Sequence, residues 1–168
     1  MQVVNKETNL GLCKDQKLVG RVHIVAKDAN GNVVDDSRVT NNIVLSIRNP
    51  IIRLLGGWGT EVEKLPFVRQ IGLGTGATPA TVLDTKLEEE VEGSRKLAAT
   101  TPTMSEDGLS LTFSFLYDMV DEAVDNKDIQ EMALFTTDGT MIARTTVGLW
   151  RKTTGLYFEI YWTIGYAA

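Results

Sequence analysis

Apolar and polar residues alternate along much of this chain. In Leu18–Lys27 (LVGRVHIVAK), Val22, Ile24 and Ala26 fall on one side at period two, and Asp28–Gly31 then supplies turn chemistry before a second extended run, 32–40. The pattern predicts a β-hairpin. After it, Asn41 and Asn42 are placed to cap a helix through Ile43, Ile47, Ile51, Leu54 and Leu55, kinked at Pro50 and stopped by Gly56 and Gly57. Strand character returns in the PFVRQIGLG run from Pro66, which leads into the glycine-rich stretch Ile71–Gly76. The segment Asp84–Val91 reads as a short helix capped by Asp84, with carboxylates in its first turn.

The second half reads as successive strands at 95–101, 109–117, 129–136, 141–147 and 155–166, separated by turns at 105–108, 121–128, 138–139 and 152–155. Within 109–117, the residues Leu109, Leu111, Phe113, Phe115 and Tyr117 share one face, opposite Ser110, Thr112 and Ser114, as in a half-buried antiparallel strand. In YFEIYWTIGY, apolar groups occupy both faces apart from Glu159 and Thr163, so this strand is expected to be covered on both sides. The spacing predicts a mainly β chain: an antiparallel β-sandwich, jelly-roll or immunoglobulin-like, with one or two short helices. It occupies residues 18–168 as a single domain behind a polar arm, 1–17, which is read as extended until it meets a neighbouring subunit.

Composition narrows the function. With 17 Lys and Arg against 22 Asp and Glu, the net charge of −5 argues against nucleic acid as a partner. The charge is uneven: residues 1–58 hold eight basic and five acidic side chains, residues 59–168 nine and seventeen, which reads foremost as uneven solvated faces and alternatively as a field that would steer copies head to tail. Cys13 is the single cysteine, so no intramolecular disulfide forms. The opening twenty residues lack a signal-peptide core, and no apolar run reaches the ~18 residues of a membrane span.

Candidate chemistry is thin. Ile71–Gly76 has glycines that let backbone amides approach an anion, but lacks both the dinucleotide spacing and a Gly-Lys-Ser/Thr ending, and Pro79 interrupts it; it reads as a tight strand-exit loop. Asp118, Asp121, Glu122, Asp125, Asp128 and Glu131 offer oxygens to calcium without an EF-hand register, and read better as a solvated loop. His23, the only histidine, alternates away from Val22 and Ile24 toward the outer face, where a surface or interface role outweighs catalysis. Trp58, Trp150, Tyr157, Tyr161, Trp162 and Tyr166 are the interface candidates, with a glycan-stacking platform as the alternative. Gly72, Gly74, Gly76, Asp84, Glu131 and Arg144 are the structural candidates, the last two able to pair across adjacent strands. No catalytic, cofactor or metal site is expected.

In their order, several of these pieces resemble small structural proteins of tailed phages: 30–34 through 40–44, the 54–57 stop, Ile71–Gly76, and Asp84–Leu87 with Glu90. Phe113 and Phe115, Ile129–Phe135, Asp138–Arg144 and Ile160–Ile164 continue the series. The resemblance implies a non-enzymatic virion protein of β-sandwich form, made in the host cytoplasm. It would decorate the capsid or sit in the tail, neck or baseplate, docking onto other virion proteins and onto copies of itself as a trimer or hexamer. The alternative function is a glycan-binding module of a receptor-binding appendage.

Overall fold

The structure, a computed structural model, describes residues 18–47 and 68–166. Nine strands carry the described chain: β1 Leu18–Lys27, β2 Val33–Ile43, β3 Val68–Gly74, β4 Lys96–Leu97, β5 Thr103–Met104, β6 Ser110–Tyr117, β7 Asp128–Thr136, β8 Met141–Arg151 and β9 Tyr157–Tyr166. All neighbours pair antiparallel, in the order β4-β3-β7-β8-β2-β1-β9-β6-β5. The fold is therefore mainly β, as the alternation predicts, and takes the form of one curled nine-stranded sheet, half a barrel.

The hairpin β1-β2 forms where expected. Asp28 accepts hydrogen bonds from the backbone N–H groups of Asn30 and Asn32 (2.8 and 2.9 Å), and Gly31 takes φ 84°, a left-handed conformation that glycine adopts without strain. Strand β2 joins the two halves of the sheet. It lies along β1 from Val33 to Asn41, yet meets β8 only at Asn42 and Ile43. The far ends of the sheet are tied by the chain between β4 and β5: Ala98 N–H donates to Arg69 O, and Ala99 N–H to Ser114 O of β6 (both 2.8 Å).

Curling puts one face of every long strand into a common core, β2 least, through the partly buried Val39 and Ile43. Val22, Ile24 and Ala26 of β1 and Phe158, Ile160 and Trp162 of β9 meet Phe113, Phe115 and Tyr117 of β6, with Ile71, Leu73, Met132, Leu134, Ile142 and Trp150 from the other half. Leu109 and Leu111, on the same predicted face of β6, are exposed instead, because they project past the end of this core. The outer face of β7 and β8 is covered by the 75–94 segment, with Val44, Leu87, Ala133, Phe135 and Met141 forming a second small cluster.

Two helix expectations need correction. Asn41 and Asn42 are not helix caps but the end of β2, followed by a three-residue 3-10 turn, Leu45–Ile47; the rest of that expected helix lies outside the described residues. Asp84–Val91 is not helical either. Its backbone groups are claimed by neighbours: Glu88 and Glu89 N–H donate to Glu131, Glu89 O accepts from Thr75 N–H, and Val91 N–H donates to Leu73 O. With these donors and acceptors spent, an i to i+4 ladder has nothing left to form from.

Candidate functional site

The six structural candidates converge on one place. Glu131 is fully buried on β7, and Arg144, on the adjacent β8, is 3% exposed. Arg144 lies opposite Ala133, so it reaches Glu131 diagonally along the pair: Nε donates to Oε2 at 2.8 Å. Nη1 donates to Asp84 at 2.8 Å and Nη2 to the Thr78 carbonyl at 3.0 Å, so the guanidinium ties the β3–β4 connection to two strands. The other bonds to Glu131 come from backbone: Gly76 N–H (3.2 Å), Glu88 N–H (3.0 Å) and Glu89 N–H (2.8 Å).

The glycines are explained by this clamp. A Cβ at Gly74 would stand 2.4 Å from Glu131 Oε1, and one at Gly76 2.6 Å from the same atom; at Gly72 it would press on Phe135 and Leu87. The amides of the glycine-rich loop do approach an anion, and the anion is the chain's own Glu131. Asp84 caps the Thr81 turn, accepting from Thr81 N–H (2.8 Å) and Oγ1 (2.7 Å), rather than a helix. Burial pulls its carboxyl upward, but the Thr81 and Arg144 bonds outweigh that and leave it below its ordinary 3.8.

The acidic run is likewise consumed internally. Asp121 pairs with Lys96, Asp125 with the fully buried Lys152, Asp128 with Arg151, and Glu131 with Arg144. The run is expected to form a solvated loop, but Asp128 and Glu131 belong to β7, and the alternation of that strand and the turn before it send the four carboxylates to four different cations. No group of three or more His, Asp or Glu side chains is placed to hold a metal among the described residues.

The aromatic candidates divide. Trp162 is fully buried and Trp150 nearly so, its ring edge-on to Phe158 at 5.4 Å; both belong to the core of this chain and present no docking surface. Tyr157 and Tyr161 are half-buried on the outer face of β9, Tyr166 is 53% exposed, and Trp58 lies outside the described residues. Burial raises the Tyr161 phenol, helped by its bond to Glu159.

His23 does face outward. Its Nε2 lies 2.9 Å from Asp36 and 3.1 Å from an Arg38 nitrogen, and its ring is tilted against Tyr161 at 5.8 Å. His23, Arg38 and Tyr161, with Arg21, Thr40 and Thr163, line an open groove of about 350 Å³ across β2, β1 and β9. The His23–Asp36–Arg38 grouping was legible in principle: the Asp28–Gly31 turn sets a register that puts His23 opposite Arg38. Chemically, the groove offers hydroxyls, cations and one aromatic ring, while the ring nitrogen facing Asp36 and Arg38 is already engaged. In comparisons with protein-family models, curated proteins and solved structures, none matches this chain.

Proposed function

We propose that this chain is a non-enzymatic assembly module, a structural component of a tailed-phage virion that docks onto copies of itself and onto other virion proteins. The observation that carries the reading is an apolar strip across one end of the sheet. Met104 of β5 is paired with Leu111 of β6, Leu111 is paired with Ile164 of β9, and Leu109 O accepts from Tyr166 N–H. Met104, Leu109, Leu111 and Tyr166 are 64%, 46%, 42% and 53% exposed. Single exposed apolar residues need no explanation, but four on neighbouring strands make a continuous patch of the kind that partners cover. The occupant proposed is a second copy of the chain, with the virion scaffold completing the contact in the particle. The phage setting rests on the order of sequence segments set out above, and a sandwich-like packing of the two halves of the curled sheet would suit such a module.

Light scattering across a concentration series tests this. The protein is expected to exceed its 18.5 kDa monomer mass, with a trimer or hexamer pointing to a symmetry axis, and Met104→Glu/Leu111→Asp is expected to lower that mass by removing the strip contact. A wild-type chain that stays monomeric at every concentration overturns self-docking. A glycan-binding reading is favoured by the Tyr161–His23 groove alone, and a glycan array on the strip variant separates it from assembly through that strip.

A further inference from the structure

We infer that β2 pairs edge to edge with β2 of a second copy, antiparallel about a two-fold axis at Ser37. The inference rests on the assembly reading and adds to it a second contact between copies, apart from the apolar strip, with its register. Toward its end, β2 directs the backbone of alternate residues at β8: Val44 N–H donates to Ile142 O (3.0 Å), Asn42 is paired with Arg144, and Thr40 O accepts from Thr145 Oγ1 (2.9 Å). Alternation sends the backbone groups of Arg38 and Asp36 to the same side. There β8 has diverged; its residues beyond Thr145 pair only with β7. Among the described residues these two positions have no backbone partner on that side, and the Asp36 N–H is met by the neighbouring Asp35 carboxylate at 2.8 Å. An open edge of this kind is a template for another strand.

The charges choose the partner and the register. In an antiparallel self-pairing, hydrogen-bonded positions must come from the outward-directed, even-numbered set. Centring the pair on residue 36 would put Asp36 against its own copy, centring on residue 38 would oppose two Arg38 side chains, and centring on residue 35 would oppose two Asp35 side chains. Only centring on Ser37 places Asp36 opposite the partner's Arg38, twice by symmetry, with four backbone hydrogen bonds between them. Asp36 and Arg38 already lie 3.1 Å apart within one chain, so pairing would extend an existing ion pair into a four-residue network across the axis.

Residue 37 would then meet its own copy at a non-hydrogen-bonded position, where Cα atoms stand about 4.5 Å apart, within disulfide reach. In a Cys13→Ser background, Ser37→Cys is expected to form a disulfide dimer in a glutathione buffer at least tenfold faster than Val33→Cys, which is exposed but far from the axis. On the otherwise wild-type chain, Asp36→Arg is expected to weaken self-association about tenfold and Asp36→Arg/Arg38→Asp to restore it. Cross-linking that is equal at both positions, or a charge swap that does not restore association, overturns the inference. Oligomers by light scattering without the Ser37→Cys cross-link overturn the edge pairing alone. A monomer without cross-link overturns the assembly reading as well.

Discussion

Arg144 carries a positive charge to a place water does not reach, and three acceptors hold it there. Burial lowers its proton affinity, but the bonds to Asp84 and Glu131 more than offset this and keep the guanidinium charged. Removing it would leave Glu131 as a buried, uncompensated carboxylate. Arg144→Met is therefore expected to lower unfolding free energy by about 3–5 kcal/mol in urea titrations, and Arg144→Lys by less, since a charge remains but the fork that spans Glu131, Asp84 and Thr78 does not. Asp84 also gives the clamp a pH dependence. Its folded pKa lies below 3.8, so it contributes stability that is fully present above that value and is lost as pH falls through the depressed folded pKa. Glu159, held below 4.5 by its bond from Lys27, acts in the same direction. Urea midpoints should fall as pH drops below about 4, and Asp84→Asn should flatten that fall while lowering stability at neutral pH.

At the scale of elements, the strands were readable because their signal is local. In β1 and β9, and in β6 from Phe113 onward, the side chains that alternate inward are those that fill the core, and the Asp28–Gly31 turn needs nothing beyond its own residues. The segment 84–91 misled because its helix-like composition is outvoted by contacts from far along the chain, chiefly Glu131, more than forty residues away. Glu131 and Arg144 were readable as a cross-strand pair but not as a buried one, since the loops that bury them come from 74–91. Leu87 measures how much that loop contributes: it is 3% exposed beneath the segment, whereas Leu83, four residues earlier, is 73% exposed. Leu87→Ala is expected to cost about 2–4 kcal/mol by urea denaturation and Leu83→Ala less than about 0.5 kcal/mol.

For the whole molecule, the long strands and their antiparallel character could be read from alternation, but neighbour order could not, nor could the two-residue strands: the expected strand 95–101 is only Lys96–Leu97, and Thr103–Met104 carried no signal. Nothing local announces that β2 meets β8, or that the stretch between β4 and β5 crosses from one margin of the sheet to the other. The same limit applies to function, because an open strand edge is defined by a neighbour that turns away, here β8 beyond Thr145. The place of β9 has a further consequence. The last described strand in chain order sits between β1 and β6, inside the sheet rather than at its margin, with Trp162 filling the core. During synthesis, β1 and β6 therefore leave the ribosome well before the strand that unites them. The nascent chain must keep two strand margins and an open apolar interior apart from other chains until β9 has emerged, and only then can the sheet close, which makes this interval the one where chaperone attention would matter most.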